Sequence, residues 1–477
     1  MLFNRQRLGT IILFLSDAVV LFLIAALAVT IRQILPNWMP GSRAYILYPY
    51  HDPTHEWWFF LVWFGFLLYE GAYSKKFTYW DELKLLWKTS FFSTLAIFTI
   101  VSLGQLSFSV SRIVILLMGF LAILIFPLLR VTAKKLLIRA GLLKSKVLIV
   151  GAGDMGKRTL HALRREPNLG YEVVGFIDED KPQNAQCIEG VKVHGHFQQV
   201  DRFVRKCDIQ DVVVASENID KEQLVHLINK LQHKAKNVLY IPDFSGMAVI
   251  GTELRHFFHD QMLALKIKNN LAQPINYFIK KLFDYIVSVI LFILLLIPIL
   301  IISIVIKLTS QGPAILQQQR IGKNSKLFMC YKFRTMYGDA EERLKNILIT
   351  DPEARAEWQT YWKLQNDPRV TKIGSFLRMT SLDELPQIWN VLKGEMSLVG
   401  PRPYLPREWE ALKEHSEIIL IVQPGITGLW QVSGRSDSSY EQRLTLDSWY
   451  VRNWNLWLDI VILIRTVSVV VKKEGAR

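Results

Sequence analysis

Cysteine is scarce in this chain, and its scarcity excludes two classes of protein. Among 477 residues there are three cysteines, Cys187, Cys207 and Cys330. They lack the close spacing of a zinc site, and an odd number does not suit a disulfide framework. We therefore expect no disulfide-stapled secreted domain, and we favour a location that faces the reducing cytosol.

Acidic residues are also few relative to basic ones. The chain carries 42 Asp and Glu against 57 Lys and Arg, a formal net charge of +15. Such an excess can serve nucleic-acid binding, but no zinc-finger or helix-turn-helix pattern accompanies it, so we expect no nucleic-acid partner. The basic residues lie beside apolar blocks, which favours contact with anionic membrane lipids and with anionic phosphate substrates.

Apolar sequence, in contrast, is abundant and gathered in blocks. Hydrophobic residues make up 51% of the chain, and each of the first four blocks approaches or exceeds the roughly 20 residues that cross a bilayer. Basic residues precede the first block and follow the second and fourth, which places both ends of a helical bundle in the cytoplasm. A buried soluble core would not explain this alternation. We predict a four-helix transmembrane bundle over residues 1–140, built from Leu8–Ile31, Trp57–Tyr73, Leu86–Leu103 and Ile113–Leu129.

A glycine-rich turn follows the first strand-like segment after the bundle. The turn joins Lys146–Val150 to a helix-like run, and a second strand-like segment, Val173–Ile177, ends in an acidic residue. This is the strand–turn–helix context of a dinucleotide fingerprint, and with further strands at 211–215 and 238–241 it predicts a Rossmann-like α/β domain over residues 145–265. The fingerprint supports the fold more strongly than the ligand, so nucleotide binding stays open. The candidate cofactor-binding residues are Gly151, Gly153, Gly156 and Asp178.

A fifth apolar run, Tyr285–Ile306, has basic residues on both sides, beginning with Lys280 and Lys307. Both flanks favour the cytoplasm, which a spanning helix cannot satisfy. Pro298 lies inside the run, where proline removes an amide donor and bends a helix. We predict a re-entrant helix–break–helix over residues 274–308 that enters and leaves through the cytoplasmic leaflet. The alternative is a kinked transmembrane helix.

The last segment, residues 309–477, has a soluble, mixed composition. Its patterns predict strands at Gln317–Ile321 and Leu327–Tyr331 and a charged helix at Glu341–Leu364. They also predict an amphipathic end at Ser448–Lys473, which suits either a helix in the membrane interface or an ordinary core-packing helix. Together with the preceding segments this gives a membrane α+β fold class. It comprises a four-helix bundle, a Rossmann-like middle domain, and a re-entrant helix joined to an α/β catalytic domain.

Two adjacent carboxylates, Asp383 and Glu384, precede the helix-like run Leu385–Leu392. In a structural interpretation, Ser381 and Glu384 form a capping box that merely starts the helix. In a functional interpretation, the surrounding glycine–proline turns and basic residues form a phosphate-handling site with a metal. The neighbouring segments are Lys332–Arg334, Gly400–Pro403, Pro424–Gly428 and Gln431–Arg435.

These motifs in combination resemble the monotopic phosphoglycosyl transferases of bacteria, from about residue 274 to the end. The whole chain is similar to their large, WbaP-type members, which are undecaprenyl-phosphate galactose-1-phosphate transferases. The segments that carry the resemblance are Tyr331–Met336, Ser381–Gln387, Met396–Pro403 and Pro424–Arg435. One departure is Ile297 before Pro298, where the family usually has serine.

The resemblance implies a reaction and a set of roles. Asp383 is the nucleophile that takes the sugar phosphate from a UDP-hexose and releases UMP, and undecaprenyl phosphate is the acceptor. Mg²⁺ is the cofactor, with Asp383 as its ligand and Glu384 assisting with the metal or the proton. Galactose is the first candidate sugar and glucose the second. The implied substrate-binding residues are Lys332, Arg334, Arg378, Pro401, Arg402, Gln431, Arg435 and Asp447.

The implied setting is the bacterial inner membrane, with the catalytic domain facing the cytoplasm and starting surface-polysaccharide synthesis. Membrane lipids and a second copy of the chain, forming a homodimer, are the expected partners. Two other functions stay open. One is a membrane-anchored sugar-nucleotide dehydratase or epimerase, for which Tyr277 and Lys281 supply the Tyr-x-x-x-Lys spacing at an unsuitable place beside a membrane segment. The other is a non-catalytic scaffold whose middle domain senses a nucleotide.

Overall fold

The computed structural model consists of two compact units, Met1–Asp243 and Phe244–Arg477. Each unit is described by itself. The structure describes residues 2–34, 57–104, 111–178, 187–195, 200, 203–204, 207–216, 219–232, 234–243, 252–257, 262–266, 270–355, 364, 367–433 and 439–472.

The first unit begins with the four predicted apolar helices, α1 Leu2–Ile34, α2 Trp58–Tyr69, α3 Tyr79–Leu103 and α4 Arg112–Arg139. Their inward faces form one apolar core, and large apolar side chains on the outward faces are exposed, as suits contact with lipid. Helices α1, α3 and α4 are long and apolar enough to cross a membrane. Helix α2 has 12 residues, about 18 Å at about 1.5 Å per residue, which is shorter than predicted.

A buried charged cluster closes one end of the bundle. The guanidinium of Arg130 donates to Glu82, to Asp17 and to the Ala72 carbonyl oxygen. Asn168, which lies beyond the bundle in the chain, donates to the same Glu82 carboxylate at 2.6 Å. Buried charges need such partners because burial without them is costly. The cluster therefore ties the helices of the bundle to each other and to the following domain.

That domain is the predicted Rossmann-like fold. Strands β1 Ser145–Val150, β2 Tyr171–Asp178, β3 Cys187–Ile188, β4 Val191–Gly195, β5 Asp211–Val214 and β6 Asn237–Tyr240 form a sheet in the order β3-β4-β2-β1-β5-β6. All pairs are parallel except β3 with β4. Helices α5 Asp154–Arg165 and α6 Lys221–Gln232 connect strands. The order reverses on either side of β1, so the glycine-rich turn after β1 lies at the switch point of the sheet.

The second unit begins with the hairpin of β7 Glu253–Phe257 and β8 Met262–Lys266, which the sequence analysis had included in the middle domain. The long apolar helix α7, Pro274–Thr309, follows. The structure corrects the predicted helix–break–helix, because α7 is one helix with Pro298 inside it. Near its two ends, Lys280 contacts the Val399 carbonyl oxygen and Ile306 packs with Phe333. Both ends thus contact the same folded domain, which favours entry and exit through one membrane face. Re-entry stays a prediction.

The catalytic domain combines short strands with short helices. Strands β9 Ile315–Ile321 and β10 Leu327–Phe333 form an antiparallel hairpin, and β11 Ser397–Val399 pairs in parallel with β12 Gly425–Thr427. The helices are α8 Ala340–Thr350, α9 Lys372–Met379, α10 Gln387–Leu392, α11 Trp409–Leu412, α12 Ser416–Ile419, α13 Leu429–Val432, α14 Tyr440–Arg452 and α15 Leu456–Lys472.

Two predicted helices are corrected here. The predicted helix Glu341–Leu364 is interrupted after Thr350, because Pro352 disfavours helical backbone at Asp351, which is extended. The backbone is helical again at 352–355, and residues 356–363 lie outside the described part of the chain. The predicted amphipathic end Ser448–Lys473 is divided between α14 and α15, with a turn at 453–455.

Candidate active site

The acidic pair lies on a tight turn between helices. Asp383 and Glu384 belong to a 3₁₀ turn, Leu382–Glu384, that joins α9 to α10. Ser381 precedes it with φ 55° and ψ 19°, a left-handed conformation that is uncommon for a residue with a side chain. Its side chain makes no capping hydrogen bond, so the capping-box interpretation is wrong. Left-handed backbone at a non-glycine residue is typical of functional sites, where the surrounding structure holds it in place.

Two basic side chains flank the pair. The Lys332 ammonium on β10 donates to Glu384 Oε1 at 2.7 Å. Arg378, in the last turn of α9, donates through Nε to the Thr335 hydroxyl at 2.9 Å, and its charge acts on Asp383. The structure thus brings Lys332 and Arg378 to the carboxylates, and their predicted binding of substrate stays a prediction.

Burial sets the acidity of the candidate nucleophile. Desolvation, followed by the neighbouring charge of Glu384, raises the pKa of Asp383 to about 6, while Lys332 and Arg378 oppose the rise. Asp383 is still mainly ionised at neutral pH, but its carboxylate has lost part of its hydration and has gained basicity. A desolvated, ionised carboxylate next to two cations is suited to attack a phosphorus atom.

We expect the acidity of Asp383 to appear in the pH dependence of turnover. The attacking form is the carboxylate, so activity should fall as pH drops through about 6, because protonation removes the nucleophile. A pH profile of kcat/KM measures this limb. Asp447 also has a pKa raised to about 6 by burial, so the profile should be repeated with Asp447→Asn. Disappearance of the limb in that variant would assign it to Asp447 and contradict the expectation.

The side-chain contacts described for Arg334 are at the end of α7 and not at the acidic pair. It is buried, and its Nη2 donates to the Ser310 carbonyl oxygen at 2.7 Å and to the Ser310 hydroxyl at 2.8 Å, at the end of α7. Gly312, at φ 118°, leaves room for it, because an added Cβ there would lie 2.3 Å from Arg334 Nη1. Its Nε and Nη1 are buried without a hydrogen-bond partner among the described residues. Arg334 therefore caps the end of the membrane helix α7. Its binding of substrate stays a prediction.

A glycine–proline loop lies after β11 and is packed tightly on β12. The Gly425 amide donates to the Pro401 carbonyl oxygen at 2.8 Å, and the Gly400 amide donates to the Thr427 carbonyl oxygen at 2.9 Å. A Cβ added to Gly425 would lie 2.1 Å from the Gly400 nitrogen. The buried Pro401 therefore belongs to a backbone crossing where glycine is required for close approach.

Gly425→Ala should accordingly destabilise the second unit by about 1–3 kcal/mol, since backbone must shift to admit the methyl group. Gly338→Ala is the matched control, because the nearest atom to its added Cβ would be the Gln311 carbonyl oxygen at 3.7 Å. Thermal unfolding of the two variants in detergent compares them. Equal midpoints would show that the crossing is not as tight as the structure has it.

Asp447, on α14, holds the loop that carries Arg402. Its Oδ2 accepts from the Arg402 amide at 3.0 Å and from the Tyr404 hydroxyl at 2.6 Å. The Arg402 guanidinium then lies 5.6 Å from the ring centre of Trp430 on α13. Gln431, next to Trp430, donates to the Ile426 carbonyl oxygen at 3.4 Å. Substrate contact by these predicted residues stays a prediction, and Arg435 lies outside the described residues.

Sequence reasoning missed two residues of this region. Arg443 on α14 lies 5.1 Å from the Trp430 ring centre. Arg320 on β9 donates through Nη1 to the Pro403 carbonyl oxygen at 3.0 Å. In the β9–β10 register, Arg320 is on the same face of the hairpin as Lys332, since Leu316 pairs with Lys332 and residues alternate along a strand. Two sequence signals point to them. Arg443 lies one helical turn before Asp447, and Arg320 lies on a strand whose alternation of faces puts it on the same side as Lys332.

Known proteins with similar sequences decide the family. Residues 275–473 match the family described as bacterial sugar transferase. Over 417 residues, 87% of this chain and 86% of the relative, the chain is 40% identical to the UDP-galactose-lipid carrier transferase of Erwinia amylovora. The chain belongs to the bacterial sugar transferase family.

Other relatives of this sugar transferase are similar over most of their length. It is 40% identical over 419 residues to the undecaprenyl-phosphate galactose phosphotransferase of Salmonella typhimurium, covering 87% of this chain and 86% of that protein. It is 32% identical over 389 residues to the UDP-glucose:undecaprenyl-phosphate glucose-1-phosphate transferase of Klebsiella pneumoniae, covering 80% and 79%. The family expected from the motifs is thereby confirmed.

In this sugar transferase, residues 70–242 match a second family, described as a CoA-binding domain. The glycines of its turn pack closely: a Cβ on Gly151, which has φ 106°, would lie 2.3 Å from the Ala215 carbonyl oxygen, and one on Gly156 would lie 2.1 Å from the Gly151 carbonyl oxygen. A Cβ on Gly153 would meet no atom within 4 Å. Asp178 Oδ2 accepts from the Ala152 amide of the turn at 2.6 Å. These contacts explain the fingerprint as a packed turn, and nucleotide binding there stays a prediction.

The donor atoms near Asp383 fit one kind of magnesium site. Among the described residues, no group of three or more His, Cys, Asp and Glu side chains is placed to hold a metal. Mg²⁺ in phosphate chemistry is often held by one or two carboxylates and the substrate phosphates. Asp383 fits that arrangement with the substrate present, and Glu384, which is paired with Lys332, fits a supporting role.

Proposed function

We propose that this membrane protein transfers a hexose-1-phosphate, with galactose-1-phosphate as the first candidate, from a UDP-sugar to undecaprenyl phosphate. The products are undecaprenyl-diphosphate-hexose and UMP, and the reaction starts the synthesis of a surface polysaccharide. The observation that carries the proposal is the desolvated Asp383 carboxylate between Lys332 and Arg378. The relatives' names, which refer to UDP-galactose and undecaprenyl phosphate, support the choice of substrates.

The proposed reaction has two displacements at one phosphorus atom. In the first, a carboxylate oxygen of Asp383 forms a bond to the sugar-bearing phosphorus, and the bond from that phosphorus to the UMP oxygen breaks. UMP leaves with the electron pair. In the second, an oxygen of the lipid phosphate attacks the same phosphorus, and the Asp383 carboxylate leaves. The covalent intermediate separates two anionic substrates that would otherwise have to meet in one step.

The residues near Asp383 have distinct proposed roles in this reaction. Lys332 holds Glu384 in place and offsets its charge, and Arg378 places positive charge where phosphate oxygens must lie. Mg²⁺, when bound at Asp383 and shared with the substrate, would neutralise charge on the diphosphate. Asp447 orients the Arg402 loop through two hydrogen bonds.

The catalytic domain is proposed to face the cytoplasm, where UDP-sugars are made, and the enzyme is proposed to be a homodimer.

No described contact favours a dehydratase or an epimerase. Tyr277 and Lys281 both lie on the apolar helix α7, and the Tyr277 hydroxyl accepts from Gln423 Nε2 at 3.4 Å. A dehydratase dyad belongs to the Rossmann-like domain, which in this chain lies in the other unit. We therefore interpret the Tyr-x-x-x-Lys spacing as a coincidence.

The proposal is tested by supplying the full-length enzyme in nanodiscs with Mg²⁺, undecaprenyl phosphate and a panel of UDP-sugars while UMP release is measured. We expect UMP with UDP-galactose, and less or none with UDP-N-acetylhexosamines. UMP release with UDP-glucose and with no other donor would support the proposed reaction but would make glucose the transferred sugar. Absence of UMP with every sugar, from an enzyme that retains its unfolding transition, would contradict the proposed function.

A further inference from the structure

Three guanidinium groups lie near one another around the Arg402 loop and the Trp430 ring. Arg402 and Arg443 lie 5.6 and 5.1 Å from the ring centre of Trp430, and Arg320 is bonded to the Pro403 carbonyl oxygen in the Arg402 loop. Burial, and after it the positive charge of Arg402, lowers the pKa of both Arg320 and Arg443. Like charges held together in a partly buried region repel each other, and the carboxylate of Glu408 opposes this repulsion at Arg320 and Arg443. A further anion would stabilise the cluster of Arg320, Arg402 and Arg443.

The carboxylates in this region are directed mainly at backbone and hydroxyl groups. Asp447 Oδ2 accepts from the Arg402 amide and the Tyr404 hydroxyl, and Glu408 accepts from the Leu405 amide at 2.6 Å. Over the part of the chain that the structure describes, no carboxylate forms an ion pair with the guanidinium of Arg320 or Arg402. The Arg402 guanidinium, which lies over the Trp430 ring, can therefore pair with the anionic group of a ligand.

Two buried polar atoms beside the cluster also lack a partner. Asp447 is 1% exposed and Trp430 is 8% exposed. Nevertheless, Asp447 Oδ1 and Trp430 Nε1 have no hydrogen-bond partner among the described residues. A buried acceptor and a buried donor left unsatisfied each cost free energy, which a ligand with polar groups of its own would recover. The hydroxyl of Tyr440 is a third such atom.

The cluster is near enough to the acidic pair to serve the same substrate. The charge of Glu384 acts on Arg320, and Arg320 shares a face of the β9–β10 hairpin with Lys332, the partner of Glu384. When Asp383 attacks the sugar-bearing phosphorus, the departing nucleotide phosphate gains negative charge. Guanidinium groups in that position bind the nucleotide phosphate before and after the bond breaks and offset its charge.

We propose that Arg443 acts with Arg402 to bind the phosphate of the nucleotide that leaves, next to Trp430. The proposal rests on the proposed function, because it assigns one part of the nucleoside-diphosphate donor to this cluster. Asp447 and Trp430 offer one acceptor and one donor to the nucleoside. The alternative ligand for the same guanidinium groups is the phosphate of the lipid acceptor, which the experiment separates from the nucleotide.

The test compares Arg443→Met and Arg443→Lys with the control Arg407→Met, whose side chain is exposed on a neighbouring turn. We expect Arg443→Met to raise the KM for UDP-sugar and the inhibition constant of UMP by about 10- to 100-fold, the range for a lost hydrogen bond to a charged group. The KM for undecaprenyl phosphate should not change. Arg443→Lys should recover part of the loss, because it keeps the charge but not the planar fork of donors. The control should match the wild type.

The wild-type enzyme gives a second measurement that needs no variant. Arginine-selective labelling, read by mass spectrometry, should show that UMP protects Arg402 and Arg443, whereas undecaprenyl phosphate alone does not. Protection by the lipid alone, or equal inhibition constants of UMP for Arg443→Met and wild type, would overturn the proposal. Failure of the proposed function is distinguishable, because then wild-type enzyme would release no UMP from any donor.

Discussion

Asp383→Asn is expected to abolish UMP release from UDP-sugar while leaving the folded structure intact. The amide has nearly the shape of the carboxylate, but it carries no negative charge and cannot form the acyl-phosphate bond. A loss of at least about 10⁴-fold is expected, as for nucleophiles in covalent catalysis. Steady-state assays with the same lipid and donor as for the wild type measure it.

The same variant should not be less stable than the wild type. Burial raises the pKa of Asp383 from 3.8 to about 6, which means that its charged form is disfavoured in the folded protein. The cost of that charge is absent at low pH and grows as pH rises through the folded pKa, so an uncharged asparagine should be neutral or stabilising at pH 7. Turnover that survives in Asp383→Asn would remove Asp383 from the nucleophile's role, and a lower unfolding midpoint would show that its charge stabilises the fold.

Lys280→Met is expected to have the largest effect on stability in the second unit. The Lys280 ammonium donates to Asp459 at 2.8 Å, to the Val399 carbonyl oxygen at 2.9 Å and to Asp284 at 3.3 Å, and all three side chains are buried. Removing the cation leaves the buried carboxylates of Asp284 and Asp459 without a positive partner. This should lower the free energy of unfolding by about 3–5 kcal/mol. Thermal unfolding in detergent measures the change.

Lys281→Met is the matched control for this prediction. Lys281 is the next residue on α7, and its Nζ lies 5.9 Å from the centre of the Tyr277 ring. We expect its effect to stay within about 0.5 kcal/mol, as for residues outside buried networks. Equal unfolding midpoints for the two lysine variants would show that the buried network does not hold α7 against the catalytic domain.

Features with a local signal were predicted well. The apolar blocks and the buried strand around Val147 have periodicities that a few neighbouring residues define, and they became helices and strands at nearly the predicted places. Local signals also caused the errors. Ser381 and Glu384 have capping-box spacing, but the left-handed backbone at Ser381 excludes the cap. The charge pattern of Glu341–Leu364 is helical throughout, yet Pro352 interrupts the helix at Asp351.

The site was predictable only where residues cluster in the sequence. Asp383, Glu384 and Arg378 are close in sequence, whereas Lys332 was assigned by resemblance and its pairing with Glu384 required the fold. Arg443 and Arg320 were missed because they are separated by more than 100 residues and meet through the loop at Arg402. Helical spacing offered a partial signal, since Arg443 and Asp447 are four residues apart and share a face of α14.

The buried network of α7 illustrates the same limit. Lys280 and Asp284 are four residues apart on an apolar helix, a spacing that favours an ion pair. Their partner Asp459 is 179 residues from Lys280 in the sequence. Polar residues in such a helix mark a place where it faces protein, but the sequence does not say which protein surface that is.

The covalent intermediate is tested most directly by mass spectrometry of the wild-type enzyme incubated with UDP-galactose and Mg²⁺ in the absence of lipid acceptor, followed by a rapid acid quench. We predict that the peptide containing Asp383 gains the mass of one hexose phosphate and that one UMP is released per enzyme molecule. The adduct should disappear when undecaprenyl phosphate is added before the quench. UMP that forms only when donor and acceptor are both present, with no adduct at any time, would contradict the account and indicate direct transfer between the two substrates.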